Sequence, residues 1–289
     1  IEKLKDDYAK KIDNINNLFD EIPHELLDAN PKIHPLLEKS LNESETTRLM
    51  QDRAPNIDPN KSFVGAGAYN HFIRAAVWSL ASRGEFLTAY TPYQAEASQG
   101  SLQLIYEYQS LMANLMSLDV CNASLYDGAT SLAEAILMCL RIKRNKANKV
   151  LVPDSLHPNY RAALKSLLPS DTKIINIPFD IKTGTTDLDF LKNINNESAD
   201  IAALVINHPN FFGKLEPVDN LTNWAKDNNI LSIGVVNPTT CALFKPPGEW
   251  GENECGVDIA CGEGQPLGIP LSFGGPYFGF ILSNFIGEI

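Results

Sequence analysis

The sequence has few cysteines, few basic residues and no long hydrophobic run. Its five cysteines form no CxxC pair, and an odd number suits no complete disulfide framework, so we expect a reducing compartment such as the cytoplasm. The 24 Lys and Arg residues are outnumbered by 35 Asp and Glu residues, which argues against a nucleic-acid-binding surface. No apolar run reaches the roughly 18 residues of a transmembrane helix, so we also predict no membrane partner.

The order of polar and apolar residues predicts two regions. The start of the chain shows helix-spaced apolar residues interrupted by prolines, and residues 48–61 form a polar stretch. We therefore predict a helical N-terminal arm at 1–62 and a large domain at 63–289. The chain begins with Ile1 and ends shortly after a strand-like segment, so we expect it to be part of a longer polypeptide, lacking a smaller C-terminal domain.

The large domain is predicted to be an α/β domain, because strand-like and helix-like segments alternate along it. The strands lack polar alternation, which is typical of a mostly parallel sheet with helices on both faces. The predicted strands are 149–153, 172–178, 201–207, 230–236, 257–261 and 278–283, and the predicted helices are 101–118, 131–144, 159–168, 187–193 and 218–228.

A loop rich in glycine and proline at 262–276 follows the predicted strand 257–261. In open α/β sheets, ligands bind beyond the carboxyl ends of the strands, so this is the expected place for a site. The loop contains no Lys and no His, however. It has the pattern of an active-site loop without a nucleophile.

Other segments offer binding groups, and each also has a purely structural interpretation. Gly128 and Thr130 open a helix whose N-terminus could hold a phosphate, or Ser131 and Glu134 could form a capping box there. His157 follows a strand and could stack on a flat ligand or lie at the surface. The five histidines show no metal-ligand spacing, so we predict no metal site.

Two further segments leave the same choice open. Asn237 ends a strand at the place where many ring-binding enzymes use Asp, but Asn-Pro is also a common turn opener. Tyr90, Thr91 and Tyr93 lie in a loop whose two aromatic residues are typical of a binding surface or of ordinary packing.

Taken together, these segments resemble one family, the glycine decarboxylase P-protein, and within it subunit 1 of the two-subunit form. The resemblance covers nearly the whole chain in order. It is carried by FVGAGAY at 63–69, YTPYQAE at 90–96 with SQG at 98–100, NASLYDGAT at 122–130, PNFFG at 209–213, KPPGE at 245–249 and GEGQ at 262–265 with FGGP at 273–276. It implies the aspartate-aminotransferase-like large domain of a fold type I pyridoxal phosphate enzyme.

The resemblance also implies that the cofactor pocket of this chain is vestigial. In the homologous second subunit a Lys binds the cofactor a fixed distance before a Gly-Gly-Pro-like run, and that position is Gln265 here. An amide cannot form a Schiff base. The ring-nitrogen Asp of the partner falls near Asn237, its ring-stacking His near His157, and its phosphate-binding turn near Gly128 to Thr130.

The implied function is that of a subunit in a two-subunit glycine decarboxylase. Subunit 2 holds pyridoxal phosphate covalently, glycine is decarboxylated, and the aminomethyl group passes to the lipoyl H-protein. Tyr90, Thr91 and Tyr93 are the candidates for reaching that site across the interface. Two other interpretations stay open: a scaffold or regulatory subunit without catalytic residues, and a stand-alone pyridoxal phosphate enzyme. For the last, Lys245 is the nearest lysine but precedes the strand at 257.

Overall fold

The computed structural model describes residues 15–27, 40–54, 65, 70–87, 92, 94–144, 147–194, 200–272 and 274–284. The chain divides into two compact units, Ile1–Ser62 and Phe63–Ile289. In the described part of the first unit, a 3-10 turn at Ile15–Phe19 precedes helices α1 (His24–Leu27) and α2 (Glu43–Arg53). That the first unit is a helical arm and the second the large domain of a pyridoxal phosphate enzyme stays a prediction.

The second unit alternates helices and strands as the sequence predicts. Its helices are α3 (Ala75–Ala81), α4 (Gly84–Leu87), α5 (Ala95–Met116), α6 (Gly128–Ile142), α7 (Pro158–Leu167), α8 (Leu188–Ile194) and α9 (Val218–Asp227). Its strands are β1 (Val120–Cys121), β2 (Lys149–Pro153), β3 (Lys173–Ile177), β4 (Ile201–His208), β5 (Leu231–Val236), β6 (Ile259–Glu263) and β7 (Gly279–Ser283).

The strands form one seven-stranded sheet in the order β1-β7-β6-β5-β4-β2-β3. Strands β3, β2, β4, β5 and β6 are parallel to one another, whereas β7 pairs antiparallel with both β6 and β1. The prediction of a mostly parallel α/β sheet is therefore confirmed. Strand β1 was not predicted, because two residues are too few to show a periodicity.

Helices cover both faces of the sheet, as the alternation of side chains in β4 shows. Leu204 and Ile206 pack in a core cluster with Met112 of α5 and Leu221 of α9. The intervening Val205 belongs to a second cluster on the opposite face, which includes residues of α6 and α7. Because all eight residues of β4 are buried, neither face of this strand needs a polar residue.

The carboxyl ends of the parallel strands lie at one edge of the sheet. There β2 ends at Pro153, β4 at His208, β5 at Val236 and β6 at Glu263. Strand β6 lies two residues later than the predicted strand at 257–261. This difference matters for the site, since it makes Glu263 the last residue of a strand instead of a loop residue.

Strand β6 packs so closely on β5 that we expect Gly262→Ala to be destabilising. A Cβ at Gly262 would lie 2.1 Å from the carbonyl oxygen of Val236 and 2.7 Å from Cζ of Phe280. Relieving such overlap requires backbone movement, with an expected loss of about 1–3 kcal/mol in the free energy of unfolding. Urea unfolding of the variant and the wild-type protein measures this difference.

Gly100 provides the matched control for this substitution. It lies exposed in α5, and a Cβ there would have no heavy atom within 4 Å. Gly100→Ala should therefore raise stability by about 0.5–1 kcal/mol through helix propensity. Wild-type stability of Gly262→Ala would contradict the close packing of the two strands.

Candidate functional site

The N-terminus of α6 lies at the carboxyl edge of the sheet and is capped from within the chain. Asp127 accepts hydrogen bonds from the backbone N–H of Thr130 at 2.7 Å and from the Thr130 hydroxyl, while the Asp127 N–H donates back to that hydroxyl oxygen at 3.1 Å. The capping box is thus formed by Asp127 and Thr130. The sequence-based box of Ser131 and Glu134 is wrong, because Ser131 already lies inside the helix and donates to the carbonyl of Asp127.

Glu263 fills the space in front of this helix. One carboxylate oxygen, Oε2, accepts the N–H of Gly128 at 3.0 Å, and the other, Oε1, accepts the N–H of Gln265 at 3.1 Å. Burial raises the pKa of the Glu263 carboxyl, while these N–H donors lower it and the nearby Asp127 charge raises it further. The side chain therefore joins the end of β6, the start of α6 and the following loop.

Tyr160 of α7 closes the same corner. Its hydroxyl lies only 2.0 Å from the place where a Cβ on Gly128 would stand, so no residue larger than glycine fits there without a shift. Burial raises the pKa of the Tyr160 hydroxyl, and the nearby Glu263 charge adds to this shift. The turn that the sequence offers as a phosphate site is thus packed with side chains of the chain itself.

His157 has a structural role at the start of α7. It caps this helix through Nδ1, which accepts the N–H of Asn159 at 3.0 Å. Its ring also packs on aromatic neighbours of the same chain, with centroids 4.9 Å from Phe211 in an edge-to-face contact and 5.6 Å from Tyr160 in a tilted one. That His157 stacks on a flat ligand stays a prediction.

Asn237 and Gln265 begin the loops after β5 and β6, and both use their polar atoms locally. Oδ1 of Asn237 accepts the N–H of Thr239 at 3.0 Å and its hydroxyl at 2.8 Å, which starts the 3-10 turn Pro238–Ala242. Gln265 is only 5% exposed, and its Nε2 donates to the carbonyl of Ile269. The turn at Pro238–Ala242 contacts the turn that begins at Gln265.

A second carboxylate, which is buried, holds the loop after β4. Glu216, also 5% exposed, accepts hydrogen bonds from Nδ2 of Asn210 at 2.8 Å, the N–H of Thr186 at 2.8 Å and the hydroxyl of Ser155 at 3.3 Å. Its own N–H donates to Nδ1 of His208 at 3.1 Å. This network fixes the turn from which Phe211 reaches His157.

The structure places most of the candidate residues in one region. Gly128 and Gln265 are joined through Glu263, Thr130 caps the same helix, and His157 packs on Tyr160, whose hydroxyl lies beside Gly128. Glu263, Glu216 and Tyr160 were not predicted from the sequence. For Glu263 one signal was available, an acidic residue two positions after the predicted strand 257–261. Tyr90, Thr91 and Tyr93 lie outside the described residues.

The residues of this pocket do not fit a pyridoxal phosphate group. Glu263 occupies the front of the helix where a phosphate would lie, and Tyr160 fills the space beside Gly128. The amide of Gln265, which the family resemblance predicts to lie at the cofactor-lysine position of the second subunit, is already bonded within the loop. Among the residues that the structure describes, no group of three or more His, Cys, Asp or Glu could hold a metal ion.

The large domain has the fold of type I pyridoxal phosphate enzymes. A solved structure of Oryza sativa TDC with PLP and tryptamine matches it with a TM-score of 0.61, over 91% of this chain and 58% of that chain, at 11% identity. Residues 9–284 match the model of the family described as glycine cleavage system P-protein, and the chain belongs to this family.

Two relatives show how much of the family's length is present. The probable glycine dehydrogenase (decarboxylating) subunit 1 of Coxiella burnetii (strain Dugway 5J108-111) is 57% identical over 93% of this chain and 58% of its own length. A crystal structure of glycine decarboxylase (P-protein) in inhibitor-bound form matches with a TM-score of 0.80 and 38% identity, over 94% of this chain and 59% of that chain. The chain thus spans less than two thirds of each. No helix within the described ranges is long and apolar enough to cross a membrane.

We expect the protein to form no Schiff base with pyridoxal phosphate, because the loop at 262–276 has no lysine. After incubation with the cofactor and reduction with borohydride, mass spectrometry should find no stoichiometric pyridoxyl adduct on a single lysine. Scattered substoichiometric labelling of surface lysines is the expected background. A saturating adduct at one position would contradict the vestigial pocket.

Proposed function

We propose that the chain is subunit 1 of a two-subunit glycine decarboxylase in the glycine cleavage system. A homologous second subunit binds pyridoxal phosphate covalently, and the pair decarboxylates glycine and passes the aminomethyl group to the lipoyl H-protein. The observation that carries this proposal is a P-protein fold whose own pocket is filled by Glu263 and Gln265. The naming of relatives as subunit 1 and their decarboxylase titles support it. We place this activity in the cytoplasm.

Exposed apolar side chains support association with a partner. On α5, Leu104, Tyr106 and Leu111 are exposed, as is Trp78 on α3, although all four are large hydrophobic residues. Leu104 and Leu111 are two turns apart on one face of α5, and exposed hydrophobic residues that share a face are typical of interaction surfaces. An obligate pair of homologous subunits is expected to bury on the order of 2,000 Å² or more.

The contribution of this chain to the shared site is assigned to Tyr90, Thr91 and Tyr93. In the sequence these residues come shortly before α5, and Pro92 between them has a ring that fixes one backbone angle. Stiff hydroxyl-bearing side chains can bind polar groups of the partner's site at a low entropic cost. They would orient substrate and exclude water without holding the cofactor.

The self-filled pocket also favours a second candidate, a scaffold that stabilises the partner and contributes no residue to the reaction. The two candidates differ in one respect. A shared site makes turnover depend on the tyrosine loop, whereas a scaffold makes it depend only on assembly.

Glycine–bicarbonate exchange should appear only when the second subunit is present. The reason is that the loop at 262–276 has no lysine to bind pyridoxal phosphate, the group that would activate glycine. The measurement is incorporation of labelled bicarbonate into glycine by each subunit alone and by the mixture, with the H-protein present throughout. Exchange by this chain alone at the rate of the mixture would contradict the subunit assignment.

Tyr90→Phe or Tyr93→Phe should lower turnover of the assembled enzyme without weakening assembly. Loss of one hydrogen bond in a water-excluded site costs about 1–3 kcal/mol, which is roughly ten- to a hundred-fold in rate. His157→Asn is the matched control, because Asn still caps α7 and the histidine contacts rings of its own chain. Steady-state kinetics and sedimentation on the same samples measure both effects. Wild-type rates for both tyrosine variants would favour the scaffold.

A further inference from the structure

The start of α6 combines two features that normally attract an anion. Its first N–H groups point out of the helix at the carboxyl edge of the sheet, and the helix dipole adds partial positive charge there. In this chain the group facing Gly128 is a carboxylate of the chain itself. The Oε2 atom of Glu263 lies 3.0 Å from the nitrogen of Gly128, a distance typical of a hydrogen bond to a bound anion.

With Glu263 in this position, the N–H of Gly128 is already bonded within the chain. The second oxygen of Glu263, Oε1, accepts the N–H of Gln265, so the same carboxylate satisfies a donor on each side of the corner. The backbone nitrogen of Glu263 lies 2.8 Å from the place of a Cβ on Gly128, and the Tyr160 hydroxyl lies at 2.0 Å. A phosphate at this helix end would have to displace Glu263.

We propose that Glu263 is an internal anion that takes the place of a phosphate at the N-terminus of α6, and that it closes this pocket to phosphorylated ligands. Members of the fold class bind the phosphate of the cofactor, and in this chain the carboxylate of Glu263 takes the place of that phosphate. This assignment concerns contacts within the chain, so it holds equally for a shared-site subunit and for a scaffold.

The test is hydrogen exchange by mass spectrometry, resolved to the peptides that contain Gly128 and Gln265. In wild-type protein both segments should be protected, and neither inorganic phosphate nor pyridoxal phosphate should change their exchange. Glu263→Ala should speed exchange in both segments by about ten-fold, as expected when one hydrogen bond is lost. Inorganic phosphate should then restore protection around Gly128.

Two further variants keep the result interpretable. The first is the double variant Asp127→Asn with Glu263→Ala, in which Asn still caps the helix but the negative charge beside the site is lost. Because that charge repels an anion, phosphate should bind the double variant more tightly than Glu263→Ala alone. Glu263→Gln keeps the side-chain volume if the alanine variant does not fold. With one acceptor oxygen in place of two, it should speed exchange in one segment and not in both.

Glu216→Gln is the control for loss of a buried carboxylate away from α6. It should loosen the segment around Thr186 without making the Gly128 segment respond to phosphate. Protection of wild-type Gly128 by added phosphate would overturn the proposal, since the pocket would then be open. The proposal would also be overturned if Glu263→Ala exchanged as slowly as the wild-type protein. The same holds if phosphate changed exchange neither in Glu263→Ala nor in its combination with Asp127→Asn.

Discussion

Four neighbouring parallel strands, β2, β4, β5 and β6, end at one edge of the sheet, and this constraint decides where the polar loops of the domain meet. Strand β4 is buried along its whole length, so its ladder must be complete and its polar groups are confined to the ends. His208, Asn237 and Gln265 therefore lie where their strands stop. The same geometry that gives other members of the fold class a ligand crevice here brings together side chains of a single chain.

Two carboxylates, the buried Glu216 and the partly buried Glu263, hold these loops in the same way. Glu216 collects donors from three segments around the end of β4, and Glu263 collects donors from the start of α6 and the loop after β6. Burying a carboxylate is costly unless hydrogen bonds compensate for its lost hydration, so each is retained only with its donors in place. The consequence is a site whose polar groups stabilise its own loops and are not left directed at a substrate.

The fold could be predicted from the sequence because buried parallel strands appear as continuous apolar runs, which local patterns reveal. The site could be predicted only in part. Gly128 and Asn237 were predicted from their positions in a turn and after a strand, and Gln265 from the family resemblance. Glu263, however, contacts a residue 135 positions away, and no local pattern encodes that pairing. The predicted capping box of Ser131 and Glu134 was wrong for a simpler reason. The observed pair, Asp127 and Thr130, has the same spacing, so spacing alone cannot distinguish the two pairs.

A ligand built into the chain differs from a dissolved one in its concentration. Proteins that bind a cofactor gain stability by mass action and lose it when the cofactor is scarce. A tethered carboxylate is present at a fixed and high effective concentration, whatever the metabolic state of the cell. With Glu263 at the N-terminus of α6, the proposed internal anion would stabilise this corner of the chain whatever the supply of a cofactor.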